Sequence, residues 1–190
     1  TRSLQGWAEV FSSILAEEGI PAYSVSREGY FETYEVSVLL DYLKVLDNAR
    51  QDLPLTAVLT SPFAGLTAAE LSVIRLAYPN QLFYEAVEGF CSLSPEEISE
   101  TVDKKQAIQV QEKLRKFFEV LDHFREILPY TAIHDLLAEI IDKTGYGLFI
   151  SAMPGGAQRQ ANVEMLVEKA RAFEGTSYKG LFNFVRYIEQ

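Results

Sequence analysis

Between Asp103 and Leu128 apolar residues return every three or four positions: Ala107, Val110, Leu114, Phe117, Leu121, Phe124 and Leu128, with Ile108, Phe118 and Ile127 widening the stripe. That is the period of an α-helix with one apolar side, because 3.6 residues per turn brings such positions onto a single face. A helix this long, about 40 Å at 1.5 Å per residue, has to lay its stripe against other elements. It therefore predicts a layered helical body, and Pro129, which cannot continue the hydrogen-bond ladder, ends it.

The neighbouring segments repeat the theme. Val36, Leu39, Leu40, Leu43 and Leu46 line one face of a helix for which Thr33 is the expected N-cap. Asn48 to Pro54 reads as a loop, with Pro54 near the start of another short helix. Thr67 with Glu70 has the spacing of a capping box ahead of Leu71, Ile74 and Arg75, and Ser94-Pro95-Glu96-Glu97 carries a second start signal. Ile133, Leu136, Leu137, Ile140 and Ile141 mark a helix that Gly145 stops. After the turn Met153-Pro-Gly-Gly156, two helices are expected over Gln158–Phe173 and Ser177–Glu189, separated by Gly175. Only the N-terminus differs. Trp7, Val10, Phe11, Ile14 and Leu15 predict a helix closed by Gly19, and Pro21 to Val25 a short strand. The expected fold class is mainly α, a multi-helix bundle with a small N-terminal α/β appendage.

Composition limits the function classes. With 190 residues the chain has length for one domain or slightly more, and 48% hydrophobic residues suit a folded core. No apolar run approaches the ~20 residues that cross a bilayer, and the start lacks the pattern of a secretory signal, so a soluble, cytoplasmic protein without membrane contact is expected. Cys91 is alone, which removes a disulfide framework and a cysteine zinc cluster. A net charge of −10 argues against a uniformly polyanion-binding surface, though clustered Lys and Arg can still build a local patch.

Catalytic signals are sparse. There is no Gly-x-x-x-x-Gly-Lys-Ser/Thr loop to cradle phosphates. His123 and His134 sit outside any His-Glu-x-x-His spacing, and Glu17-Glu18 and Glu96-Glu97 read as helix-end charges. Both histidines are expected on helix surfaces or partly buried, and Cys91 as a small buried hydrophobe. Ser61-Pro-Phe-Ala-Gly-Leu-Thr67 is a tight turn feeding a helix start, a geometry that can offer N–H groups to phosphate or serve as a structural turn alone.

Three blocks in fixed order carry a resemblance. The first is Gly29-Tyr-Phe-Glu-Thr-Tyr-Glu-Val36; the second is the turn just quoted; the third is Pro154-Gly-Gly-Ala-Gln-Arg-Gln-Ala-Asn162 followed by Arg171 to Ile188. Together they resemble the UvrD/RecB-like superfamily 1 DNA helicases, and within them the AddA-like ATP-dependent helicase/nuclease proteins. In the first block Tyr30, Phe31, Glu35 and Val36 match the family, while Thr33 and Val38 depart from its arginine and aspartate. In the turn, which resembles the family's DNA-touching Pro-x-Arg-Gly-Ile-Gly, Pro62, Gly65 and Leu66 match, but Ala64 replaces the basic residue and Thr67 the second glycine.

The resemblance implies residues 1–50 as the edge of motor domain 2A and 51–190 as the helical accessory 2B subdomain. Thr1-Arg2-Ser3 resembles the close of a family segment, and the chain stops before the family's next motif, so an excised piece is implied. The Trp7–Leu15 helix and Ala22–Val25 strand are then expected to lack the sheet they join. The implied function is a non-catalytic accessory domain of a DNA-repair and recombination helicase/exonuclease, contacting duplex or forked DNA and an AddB-like partner protein. ATP and magnesium are implied for the whole protein and no cofactor for this piece. Candidate DNA contacts are Gly65, Leu66, Thr67, Arg159, Arg171, Lys179 and Arg186. A helical protein-interaction module without DNA contact is the alternative, and self-association stays open. The discriminating feature is whether the four basic residues converge.

Overall fold

The computed structural model describes residues 14–15, 29–94 and 104–189. Most of the N-terminal helix, the Pro21–Val25 strand and the Pro95–Glu97 helix start fall outside them; Ile14 and Leu15 are helical. The chain divides into two compact units, Thr1–Thr33 and Tyr34–Gln190. The helix after Thr33 thus belongs to the second unit.

In the first unit Gly29–Thr33 forms a turn, with Glu32 N–H donating to the Gly29 carbonyl at 3.1 Å and Thr33 N–H to that of Tyr30 at 3.3 Å. The Thr33 hydroxyl, expected to accept from a helix N–H, donates back to the Tyr30 carbonyl at 2.8 Å. Tyr30 and Phe31 meet edge to face, 4.8 Å between centroids.

The second unit is helical wherever it is regular, and no strand occurs among the described residues. Its helices are α1 (Tyr34–Asp47), α2 (Asp52–Thr60), α3 (Ala68–Ala77), α4 (Phe83–Ser92), α5 (Lys104–Ile127), α6 (Ile133–Lys143), α7 (Tyr146–Ser151), α8 (Gly156–Glu174) and α9 (Leu181–Ile188), with a 3-10 turn at Leu128–Tyr130. The mainly α class is as expected.

Helix α1 lies at the centre. It packs against α2, α5, α8 and α9, and it buries Val38, Tyr42 and Val45 as well as the expected face of Val36, Leu39, Leu40, Leu43 and Leu46. Only a narrow stripe of Ser37, Asp41 and Lys44 is polar, so most of its surface suits the inside of a bundle. Helix α5 supplies the long flank, burying Ala107, Val110, Leu114, Phe117, Leu121 and Phe124. Ile108, expected to widen that stripe, is exposed, and Gln111 is buried instead. Its amide donates to the carbonyls of Phe90 and Leu93, both at 2.9 Å, which satisfies the end of α4. Helices α8 and α9 start at different places from those expected. Helix α8 begins at Gly156, and α9 only after Gly180, at Leu181 rather than Ser177. Helix α7, between Gly145 and the Met153 turn, is an element the sequence pattern did not show.

Candidate nucleic-acid interface

Consider first the turn ahead of α3. Phe63 anchors it, its ring lying 4.4 Å from that of Tyr42 and stacked at 4.9 Å on that of Tyr146. Gly65 has φ +64°, a left-handed conformation that costs glycine nothing and a side chain about 1 kcal/mol. Leu66 is buried, while Pro62 and Thr67 face outward.

The donors of this turn are consumed internally. Gly65 N–H goes to the Ser61 carbonyl at 2.8 Å and Leu66 N–H to that of Leu59 at 2.9 Å. Thr67 and Glu70 form the full capping box: Thr67 N–H donates to the Glu70 carboxylate at 2.7 Å, and Glu70 N–H to the Thr67 hydroxyl at 3.2 Å. Lys113 of α5 closes the arrangement, reaching the Gly65 carbonyl at 3.0 Å and Glu70 Oε1 at 2.8 Å. Burial opposes the charge on Glu70, but Lys113 and the bonds from Thr67 outweigh it and hold the pKa below the ordinary value. An internal carboxylate therefore sits where an incoming phosphate would bind. Lys113, which no motif singled out, spends its charge on that carboxylate.

Arg159 is equally committed. Its guanidinium donates to Glu35 at 2.5 Å and to the Pro154 carbonyl at 3.0 Å, and Asn162 donates to the other Glu35 oxygen at 2.6 Å. Tyr146 completes the joint by donating to the Glu35 main-chain carbonyl at 3.0 Å. Glu35 is 2% exposed. Burial raises its pKa, and the Asn162 and Arg159 interactions more than reverse that, so it stays ionised. The Gly-Gly step makes the joint fit: Gly155 has φ +72°, and a Cβ on Gly156 would lie 2.0 Å from the Ser151 carbonyl oxygen. Glu35 and Asn162 belong to different sequence blocks, and this contact joins them.

The remaining candidates lie at the far end of α8, in the loop before α9 and on α9 itself. Arg171 is exposed and paired with Glu168 at 2.6 Å. Lys179 and Arg186 are exposed, and neither has a carboxylate partner among the described residues. The Arg186 guanidinium lies 5.6 Å from the centre of the Phe182 ring. Phe173 docks α9 onto α8, 5.4 Å from Phe184 and 5.3 Å from Tyr187. Arg159, bound at the opposite end of α8, does not join them. Sequence reasoning missed the exposed rings of Tyr178, Phe182 and Tyr187, at 70%, 55% and 56% exposure.

The histidines are structural. His134 pairs with Glu174, whose other oxygen accepts Ile133 N–H at 2.6 Å, so the start of α6 is tied to the end of α8. His134 also reaches Asp135 at 3.4 Å. His123 sits 2.7 Å from Lys143 Nζ and 3.7 Å from Glu139. Cys91 is half-buried rather than buried, its thiol pushed up to about 11 by desolvation. No three metal-ligating side chains converge among the described residues. No helix among the described residues is long and apolar enough to cross a membrane.

The sequence model of the UvrD-like helicase C-terminal domain matches residues 1–188. The chain belongs to that family. Within this UvrD-like family it is 41% identical, over its whole length, to the AddA-type ATP-dependent helicase/nuclease of Lachnoclostridium phytofermentans, where it covers 16% of the relative. The like-named proteins of Oceanobacillus iheyensis and Alkaliphilus metalliredigens are 41% and 39% identical over 97% and 100% of the chain, which covers 14% and 15% of them. The UvrD-like chain thus spans only about a seventh of the length of the curated relatives it matches, and its AddA-like resemblance extends across many species.

Proposed function

We propose that this chain is an accessory, non-catalytic domain of an ATP-dependent DNA helicase/exonuclease, acting in double-strand-break repair and recombination in the cytoplasm. Residues 1–50 are its motor-edge segment of 2A and 51–190 its 2B part. The observation that carries the reading is likeness without an engine. Some 40% identity runs along the whole chain to proteins named as ATP-dependent helicase/nucleases, while the residues present make no phosphate loop. ATP and magnesium act elsewhere in the whole protein, and this part contacts duplex or forked DNA and packs on neighbouring domains and an AddB-like partner. Of the four candidate basic residues, Lys179 and Arg186 are the two left for DNA, because Arg159 and Arg171 are already paired.

The competing reading, a protein-interaction module, is supported by a shallow groove of about 280 Å³ lined by Asp52, Leu53, Thr56, Arg75 and Phe83. Leu53 at its edge is 86% exposed. Binding to a labelled duplex with a 3′ tail, followed across a salt series, separates the two. Salt-sensitive binding that falls on Lys179→Gln and Arg186→Gln supports DNA contact. No binding at low salt favours the protein module, and ATP turnover by the chain alone sinks the accessory assignment.

A further inference from the structure

Tyr42 of α1 carries a buried polar atom with nothing to bond to. The residue is 1% exposed, and its hydroxyl has no hydrogen-bond partner among the described residues. Burial pushes the phenol's pKa up against the pull of the Arg125 charge, so it stays a neutral donor. A phenylalanine would fill almost the same space without that burden. Sealed polar groups are nearly always paired. One left unpaired keeps the full cost of leaving water, about a 5- to 150-fold bias against the state that seals it.

Three rings do the sealing. Phe117 and Phe124 stand edge-on to Tyr42, 6.4 and 6.3 Å between centroids, and both are buried along α5. Phe63 covers the Tyr42 ring at 4.4 Å, tilted by 34°. Of the three, only Phe63 is half-buried, and it comes from a turn rather than a helix. The bonds of that turn are made by its main chain. Ala64 and Gly65 N–H both donate to the Ser61 carbonyl, at 3.3 and 2.8 Å, while the capping box holds Thr67 and Lys113 holds the Gly65 carbonyl. None of these bonds involves the Phe63 side chain. Its ring is therefore the one wall of the Tyr42 site that can leave without unravelling a helix.

The opposing factors are of one size. A well-placed ring pair favours the inserted arrangement by about 2- to 13-fold, and Phe63 makes two, with Tyr42 and, stacked at 4.9 Å and 12°, with Tyr146. The unpaired hydroxyl works against them. Tyr146 extends the connection, since its own hydroxyl donates to the Glu35 carbonyl at 3.0 Å. Phe63 thus bridges the turn before α3 to the joint between α1 and α8.

We propose that Phe63 is a releasable latch: inserted, it locks the turn before α3 to Tyr42 and Tyr146; withdrawn, it lets water reach the Tyr42 hydroxyl and frees residues 62–64 at the tip. The hydroxyl sets how often the latch opens. This device stands whether or not the turn touches DNA.

The test places para-fluorophenylalanine at position 63 of the full chain and follows fluorine relaxation dispersion, which reads microsecond-to-millisecond exchange. A minor open state is expected, and Tyr42→Phe depletes it by about 5- to 150-fold. Urea unfolding supplies the second readout. Tyr42→Phe raises the folded-to-unfolded ratio by a factor of about that size, and leaves it nearly unchanged beside Phe63→Ala, where the hydroxyl is already hydrated. Should Phe63→Ala not fold, Phe63→Leu replaces it and is expected to shrink the Tyr42→Phe gain. An absent minor state, a minor state that Tyr42→Phe leaves alone, or an equal gain with and without Phe63 overturns the latch. A loss of stability in Tyr42→Phe also overturns it, because the hydroxyl is then bonded in the folded chain.

Discussion

Arg159 and Arg186 come from the same C-terminal sequence block and look alike as candidates for phosphate contact, yet the fold uses them oppositely. Arg159 meets Glu35, Asn162 and the Pro154 carbonyl, and its charge is spent holding α8 to α1. Arg186 lies over the Phe182 ring and has no carboxylate partner among the described residues. The lesson is that residue type locates a cation, while the burial of its nearest carboxylate decides whether that cation is architectural or available. The turn before α3 repeats the architectural case, with Lys113 and Glu70 in the same roles.

The largest effect expected from this contrast is Arg159→Met. It strands a buried carboxylate and should cost about 3 kcal/mol in urea unfolding. Adding Glu35→Gln should recover much of that loss, and a cost below about 1 kcal/mol would place Arg159 with ordinary surface pairs. Acid comes next. Glu35, Glu70 and Glu174 titrate below the ordinary value of 4.5 in the folded chain, so the unfolded chain binds more protons under acid conditions. Their contribution is fully present above that value and is lost as pH falls through the lower folded pKa values. Urea midpoints should therefore hold from pH 7 to 5 and drop below 4.5, with a shallower drop in Glu35→Gln.

Smaller again is Thr67→Ala, which removes one half of the capping box and should cost about 1 kcal/mol. The smallest stability effect belongs to Lys179→Gln and Arg186→Gln, within about 0.5 kcal/mol, although these are the changes expected to alter nucleic-acid binding. A destabilisation like that of Arg159→Met at either position would erase the distinction between the two arginines.

Much of the helical fold was legible because its signals are local. The α5 stripe, the Thr67–Glu70 box and the Gly145 stop each lie within a few residues of the structure they specify. What escaped was set by distance. Nothing near Arg159 announces that its partner lies 124 positions earlier, and nothing near Ala64 announces Lys113. The central placement of α1 was hidden for the same reason, since Tyr42 on its second apolar face is meaningful only once Phe117 and Phe124 of α5 pack there. The α9 rings went unremarked because aromatics in a helical pattern read as core, and only exposure shows that Phe182 and Tyr187 point away from it.

The Glu35 joint also sets a clock. A ribosome adding about 5–20 residues per second needs about 6–25 s to travel the 124 residues between Glu35 and Arg159. Throughout that interval the nascent α1 carries an ionised carboxylate with no counter-charge, on a segment whose other side chains seek burial. The bundle cannot close around its own central helix until Arg159 and Asn162 have been made, so its core is completed only after α8 has left the ribosome.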